Sequence, residues 1–288
     1  MATPNRAALL FAITAAALAC GRGSSRPVSP AEVKALTAAK LPAGPDDPAW
    51  KSAPVHVAQL LLQDVVEPRQ LAATTPSIEA QALTDGKSIA FRLAWATPAR
   101  SDAATPSTFS DAVAVQVPAA TGPDVPNPMM GEAGKPVEIT YWRAAWQAIV
   151  DGRPDTLAAL YPNSRVDTYP FESPSLVPGS PEQLAMAKRY APARALGNPM
   201  AGPRQRPVQD LVATGPGTLR PAEKSVSSGA GKATPSGWAV VIVRPLPAGV
   251  RPGARSQVAF AVWRGQNREA GARKMRTGWI PLSLEAAR

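Results

Sequence analysis

The segment Pro126-Asn127-Pro128-Met129-Met130-Gly131 places two adjacent methionines in a loop that is rich in Pro and Gly. Neither the 3.6-residue period of a helix nor the two-residue period of a strand explains this pair. A methionine thioether can bind a soft metal ion or haem iron. It can also fill an irregular gap in a core, because the side chain is flexible. The composition of the loop leaves both roles open.

A second segment of unusual composition, Gly271-Ala272-Arg273-Lys274-Met275-Arg276, lies between two stretches that have the character of strands. On composition alone we expect a solvated basic loop there. The whole chain carries a formal net charge of +10. Such an excess is typical of a solvated basic surface or of a protein that docks onto an acidic partner.

The single histidine, His56, and the single cysteine, Cys20, exclude several kinds of reactive centre. One cysteine cannot form a disulfide framework, a Cys-based zinc or iron–sulfur site, or the C-x-x-C-H attachment of a c-type haem. His56 lies in an apolar stretch, so we expect a structural role for it. No P-loop, G-x-G-x-x-G, H-E-x-x-H or nucleophile-elbow motif occurs, and periodicity brings no acid–base pair together. We therefore do not expect an independent hydrolase.

The N-terminus resembles an export signal. Arg6 precedes a short apolar run at 7–19, which is too short to span a bilayer. The run ends in Ala17-Leu18-Ala19-Cys20, which is similar to a bacterial lipobox, where the cysteine is lipidated. We predict a periplasmic protein, lipid-anchored at Cys20; an ordinary cleaved signal peptide is the alternative. Export also predicts that nucleic acid is not a partner.

Strands with one buried face must position the two loops. Ile78–Thr84 and Lys87–Trp95 flank Asp85-Gly86, which predicts a hairpin closed by a type I′ turn. Short helices are predicted from Pro30 to about Lys40, behind Ser29 as N-cap, and at Pro181–Tyr190. Further strands are predicted at Asp111–Val117, Val137–Trp146, Trp238–Leu246, Gln257–Trp263 and Trp279–Leu284.

Seven or more strands without a long helix or a repeat predict an all-β fold, an antiparallel β-sandwich with long Pro/Gly-rich loops and a few short helices. We divide the chain into a signal peptide (1–19), a tether with a short helix (20–46) and a sandwich domain (47–288). Within that domain, 151–237 is rich in Pro, Gly and Arg. We expect this stretch to be a loop-rich insertion laid over the core, not a separate domain.

Five ordered blocks of the sequence resemble one protein family. The blocks are Asp47-Pro48-x-Trp50, Leu83-Thr84-Asp85-Gly86-Lys87-x-Ile89-Ala90-Phe91-Arg92-Leu93-x-Trp95, Phe109-x-Asp111-Ala112-Val113-Ala114-Val115-Gln116, Met130-Gly131 with Pro136-Val137, and Val258-Ala259-Phe260-Ala261-Val262-Trp263-x-Gly265. They are similar to the haem b-binding gamma subunit of type II molybdoenzymes of the DMSO reductase family. Ethylbenzene dehydrogenase, selenate reductase, chlorate reductase and dimethylsulfide dehydrogenase carry such subunits. The resemblance covers about 47–146 and 238–284.

This resemblance implies one b-type haem at one end of the sandwich, with a Met thioether and a Lys amine as axial ligands of the iron. The family's methionine falls on Met130, with Met129 as its rival one residue away, and the lysine falls on Lys274. Four nearby arginines are candidates either for pairing with the haem propionates or for a solvated surface: Arg264, Arg268, Arg273 and Arg276.

The resemblance also implies an electron-transfer subunit and not an enzyme in its own right. It would relay electrons between the iron–sulfur subunit of a molybdenum oxidoreductase and a soluble c-type cytochrome, with substrate chemistry left to the molybdenum catalytic subunit. The alternative is an exported β-sandwich lipoprotein that binds carbohydrate or protein and holds no haem. In that case Trp142, Trp146 and the other Trp residues could form a platform for a sugar, although Trp in strands is more often a core residue.

Overall fold

The computed structural model describes residues 31–103, 105, 107–163, 177, 179–196, 198, 201 and 204–286. The predicted signal peptide, Cys20, and the Ser29–Pro30 start of the predicted N-terminal helix lie outside these residues. The described strands are β1 (Val33–Thr37), β2 (His56–Gln59), β3 (Ser77–Thr84), β4 (Ser88–Ala96), β5 (Ala112–Pro118), β6 (Val137–Arg143), β7 (Val208–Ala213), β8 (Arg220–Pro221), β9 (Ser228–Ala233), β10 (Gly237–Pro245), β11 (Arg255–Trp263), β12 (Met275–Arg276) and β13 (Ile280–Leu284). The α-helices are α1 (Ala144–Val150), α2 (Leu157–Leu160), α3 (Pro181–Tyr190) and α4 (Pro192–Ala195).

The strands form one continuous sheet in the order β8-β7-β6-β5-β11-β13-β1-β3-β4-β10-β9, with β2 added to β3 and β12 added to β11. Strand β11 joins the two halves, because 255–258 pair with β13 whereas 259–263 pair with β5. We call the half from β13 to β9 the first layer and the half from β8 to β5, with β12, the second layer. All pairings are antiparallel except those of β1, which runs parallel to both β13 and β3.

The two layers face each other across an apolar core. Phe91 of β4 meets Phe260 of β11 edge to face, with ring centroids 6.2 Å apart. Trp142 of β6 is fully buried and contacts Trp95 and Trp238 of the first layer at 6.3 and 5.4 Å. These contacts confirm the predicted all-β sandwich. Trp142 and Trp146 are both buried, so these two residues do not form an exposed sugar platform.

The β3–β4 hairpin is confirmed, but its turn type was predicted wrongly. Of the two turn residues only Gly86 has a positive φ, at 85°, whereas a type I′ turn needs two. The loop is longer, because Thr84 pairs with Ile89. The Asp85 carboxylate accepts hydrogen bonds from the backbone N–H groups of Lys87 and Ser88 at 2.9 and 2.7 Å, and these bonds close the turn in place of a second positive φ.

Three further predictions need correction. The N-terminal helix is wrong, because Val33–Thr37 forms β1, whose Val33 and Ala35 are buried in the core. The strand expected over Val137–Trp146 ends at Arg143 and continues as α1. The stretch 151–237 is more than a loop insertion, because it supplies β7 beside β6 and β9 beside β10. In the first and third cases pairing with remote strands outweighs the local signal.

Two local predictions are confirmed. Helix α3 spans Pro181–Tyr190, and the Ser180 side chain caps it by accepting a hydrogen bond from the Gln183 backbone N–H. His56 is buried in β2 opposite Ala80, as expected for a structural residue. Within the part of the chain that the structure describes, no helix combines the length and apolar character needed to cross a membrane.

Candidate functional site

A cavity of about 660 Å³ lies against the outer face of the second layer. Its floor consists of side chains that alternate with core residues along β5, β6 and β11. Ala114, Tyr141 and Ala261 face the cavity, whereas their neighbours Val113, Trp142 and Val262 are buried in the core. Small alanines leave room above the sheet, and the volume is in the range of roughly 300–1,000 Å³ that is usual for cofactor sites.

The methionines and the lysine predicted from the sequence all line this cavity. Met129 and Met130 belong to the loop that precedes β6, and Lys274 directly precedes β12. The fold thus brings together residues from the middle and the end of the chain. The resemblance placed the site at one end of the sandwich. The cavity itself lies against the outer face of one layer.

The methionine loop is held in a strained backbone conformation. Met130 has a φ of 71°, a left-handed value that is uncommon for any residue except glycine, and Gly131 follows at 80°. Asn127 organises the turn: its side-chain oxygen accepts from the Met129 N–H at 2.8 Å, and its carbonyl accepts from the Gly131 N–H at 2.9 Å. A Cβ on Gly131 would lie 2.9 Å from the Lys135 carbonyl oxygen, so only glycine fits.

The same loop is fastened to three separate parts of the sandwich through its carbonyl groups. The donors are Trp279 Nε1 to the Pro126 carbonyl at 2.6 Å, Gln116 Nε2 to the Pro128 carbonyl at 2.9 Å, and the Gly215 N–H to the Met130 carbonyl at 2.8 Å. A loop with so many satisfied acceptors holds its side chains in fixed positions. This arrangement suits a residue that must present a single atom to a ligand.

Lys274 lines the same cavity from the segment that precedes β12. Met275, which follows it, is buried in the core, so strand alternation points Lys274 and Arg276 outward. The Lys274 Nζ lies 5.5 Å from the centre of the Trp263 ring. Burial, followed by the nearby charge of Arg276, lowers the pKa of Lys274 to about 8. A lowered pKa favours the neutral amine, the form with a lone pair to donate.

Other cavity residues were missed by the sequence analysis. Tyr141 packs edge to face against both Trp263 and Trp146, with centroids 5.2 and 5.5 Å apart. Glu269 is buried at the cavity wall, where it accepts a hydrogen bond from the Arg264 backbone N–H at 2.8 Å. Burial raises the pKa of Glu269. The two-residue alternation of β6 was the available signal for Tyr141, whereas no local pattern marks Glu269.

The donor set of the cavity fits a haem better than a bare metal ion. The described residues contain no group of three or more His, Cys, Asp or Glu side chains that could hold a metal ion. The cavity instead combines an apolar floor with a thioether, an amine of lowered pKa and the Arg276 guanidinium. A flat apolar macrocycle with two open axial positions and acidic side groups matches those three features.

A match to a known family shows which family the chain belongs to. The sequence pattern of the family described as Ethylbenzene dehydrogenase matches residues 47–275. The chain belongs to the ethylbenzene dehydrogenase family. In this ethylbenzene dehydrogenase family member, the matched range contains both segments that carry the predicted ligands, the methionine loop and Lys274.

A curated relative adds a partial likeness. A protein of Haloferax mediterranei, named as a candidate heme subunit, ORF7, of a respiratory nitrate reductase, is 29% identical over 142 residues. The alignment covers 49% of this chain and 49% of that protein. The chain therefore matches about half the length of this relative.

Solved structures with some likeness include a carbohydrate-binding module of family 9 from Caldicellulosiruptor kristjanssonii, in complex with cellotriose. It is 8% identical, with a TM-score of 0.41, and the alignment covers 89% of this chain and 94% of the module. The same module with glucose gives a TM-score of 0.39 over 89% and 96%, again at 8% identity. A likeness this distant supports no conclusion about ligands.

Proposed function

We propose that this chain is the b-type haem electron-transfer subunit of a molybdenum oxidoreductase, and that Met130 and Lys274 are the axial ligands of the haem iron. The observation that carries the proposal is the shared cavity, which is lined by a thioether on a fixed loop and by an amine of lowered pKa. Membership of the ethylbenzene dehydrogenase family supports it. The name of the Haloferax relative supports it too.

A bound haem would supply a one-electron redox couple. The chain's own contribution is to hold two ligand atoms and to exclude water. The Met130 loop holds a neutral thioether, a ligand type that tends to raise the reduction potential. Lys274 must give up a proton to ligate, and its pKa of about 8 makes this loss easier than for a solvated lysine. Because Met130 and Lys274 would both hold the iron, the bound group would carry electrons and leave the substrate reaction to another subunit.

The proposal extends to partners and location. The chain would relay electrons between the iron–sulfur subunit of the complex and a soluble c-type cytochrome, while the molybdenum subunit carries out the substrate reaction. We place it in the periplasm, anchored through a lipidated Cys20, because its N-terminus resembles a signal peptide with a lipobox. Mass spectrometry of the N-terminal peptide tests the anchor: lipidated Cys20 is expected, and unmodified Cys20 or cleavage at another residue rejects it.

The haem itself is tested by reconstitution. The full mature chain, stripped of pigment and titrated with haem, should bind one haem per chain and give a low-spin visible spectrum. Acid–acetone should extract all of the colour, because the chain has no C-x-x-C-H segment for covalent attachment. Colour that stays with the polypeptide rejects a b-type haem, and a chain that binds no haem at all rejects the proposed function. Co-purification with iron–sulfur and molybdenum subunits tests the assembly.

A further inference from the structure

Arg276 carries a guanidinium group whose charge the described part of the chain does not balance. Its backbone is fixed, because its N–H donates to the Leu61 carbonyl at 3.0 Å and its carbonyl accepts from the Leu61 N–H at 2.6 Å. Arg276 also lies opposite Ala261 in the β11–β12 pairing. The side chain lines the cavity, on the same face as Lys274.

The donors of this guanidinium are poorly satisfied. Its Nη2 lies 3.7 Å from the Met129 sulfur, which is a weak acceptor. Its Nε is buried and has no hydrogen-bond partner among the described residues. None of the carboxylates in the described part of the chain forms an ion pair with Arg276, whereas Arg244, for example, pairs with Glu138. A partly buried cation that has no ion pair and an unpartnered donor is stabilised when an anion binds beside it.

The other arginines that the sequence suggested differ from Arg276 in their position relative to the cavity. Arg264, Arg268 and Arg273 are not among the described residues that line the cavity. Arg264 donates from Nη1 to the Thr74 carbonyl at 2.9 Å, although its Nε, like that of Arg276, is buried without a hydrogen-bond partner among the described residues. Arg273 donates to Gln70 Oε1 at 3.3 Å. The sequence offered all of these arginines as equal candidates for binding acidic groups. The fold separates Arg276 from the rest.

Two more arginines line the cavity without the same need for an anion. Arg220 is exposed at the rim, where water can solvate its charge. The Arg143 guanidinium lies 5.9 Å from the centre of the Trp146 ring, so an aromatic face contributes to its stabilisation. Arg276 therefore remains as the cavity-lining guanidinium with a buried, unpartnered donor.

We infer that Arg276 binds a carboxylate of the molecule that fills the cavity; resting on the function proposed above, that carboxylate is a haem propionate. A guanidinium presents a planar fork of donors that matches a carboxylate. The carboxylate would satisfy the donors that the chain leaves open and would neutralise the positive charge beside Lys274. Arg276 would thus fix the rotation of the macrocycle within the cavity, a task that two axial ligands alone cannot perform.

The test compares haem with its dimethyl ester, which keeps the macrocycle and iron but has no free carboxylate. Both are titrated into the apo form of the full mature chain, and dissociation constants come from absorption spectra. The wild type should bind haem about 10- to 100-fold more tightly than the ester, the range expected for hydrogen bonds to a charged group. Arg276→Gln should lose that preference and keep its affinity for the ester. The matched control Arg273→Gln should retain the wild-type preference.

Each outcome bears on the inference. Arg276→Gln with an unchanged preference for haem overturns it, and so does an equal loss of affinity for haem and ester, which would mark a purely structural role. If Arg276→Gln does not fold, Arg276→Lys carries the test, because it keeps the charge but not the fork and should show a reduced preference. Failure of the wild type to bind either compound would reject the proposed function as well, whereas normal haem binding with no effect at Arg276 rejects this inference alone.

Discussion

The Lys274 amine lies 5.5 Å from the centre of the Trp263 indole ring, on the wall of the cavity that Met130 also lines. An indole face stabilises a charged amine, whereas burial stabilises the neutral form. Burial and the nearby charge of Arg276 lower the pKa of Lys274 to about 8. The side chain is therefore prepared to act as a neutral donor.

Replacing Lys274 should open one axial position. We expect Lys274→Ala to convert a low-spin spectrum into a high-spin or water-ligated one. Lys274→Arg should do the same, because a guanidinium does not release its proton and has no lone pair to donate. Electronic absorption of the reconstituted variants measures the change, with Arg273→Ala as the neighbouring control. Wild-type ligation in Lys274→Ala would show that the lysine assignment is wrong.

The two methionines should behave differently although they are adjacent. Met130→Ala should remove the thioether and lower the reduction potential. Met129→Ala should leave the low-spin spectrum intact, because the Met129 sulfur already contacts Arg276 Nη2. Potentiometric titration with absorption spectra of both variants distinguishes them. If Met129→Ala alone disrupts ligation, the register of the methionine is wrong by one residue.

Asn127 should position the methionine without touching the bound molecule. Asn127→Ala removes the acceptor for the Met129 N–H and loosens the turn that keeps Met130 at a φ of 71°. We expect haem affinity to fall roughly fivefold, which corresponds to one hydrogen bond of about 1 kcal/mol, with a lower reduction potential. Asn127→Asp keeps the acceptor and should behave like the wild type. Equal behaviour of the Ala and Asp variants would exclude this positioning role.

Glu269 should make the stability of the apo chain depend on pH. Burial raises its pKa in the folded state above the unfolded value of about 4.3, so the folded chain keeps its proton to a higher pH. The stabilising contribution is therefore complete below the unfolded pKa and is lost as pH rises through the folded pKa. Glu269→Gln should flatten this part of the profile of unfolding free energy in urea. Glu223→Gln, at an exposed carboxyl, should keep the wild-type slope, and an unchanged slope in Glu269→Gln would contradict the account.

The strands that alternate clearly were predictable from the sequence. In Ser88–Ala96, the buried Ile89, Phe91 and Leu93 recur at every second position, and this local pattern is enough to define β4 and its hairpin. Strand β1 was not predictable in this way. It exists because Val33 pairs with Leu282, a residue from the far end of the chain, and no local pattern reports such a partner.

The candidate site likewise has features that were predictable from the sequence and features that were not. The resemblance to a family suggested Met130 and Lys274, and the fold brings both to one cavity. The position of that cavity depends on which outward face of the sandwich is covered by loops, and this is a property of the whole fold. In the sequence Ala114 and Ala261 are ordinary small residues, so nothing marks them as the floor of a cavity. The distinction of Arg276 from its neighbours required knowledge of which guanidinium groups line the cavity in three dimensions.

Near-infrared magnetic circular dichroism of the ferric protein, compared between the wild type and the double variant Met130→Ala/Lys274→Ala, tests the central claim most directly. The wild type should show the charge-transfer band of a low-spin haem with one thioether and one amine ligand, and the double variant should lose it completely while its circular dichroism in the far ultraviolet still shows a folded β protein. A wild-type protein that is high-spin, or a double variant that keeps the low-spin band, would contradict the assignment of the cavity as a haem site held by these two residues.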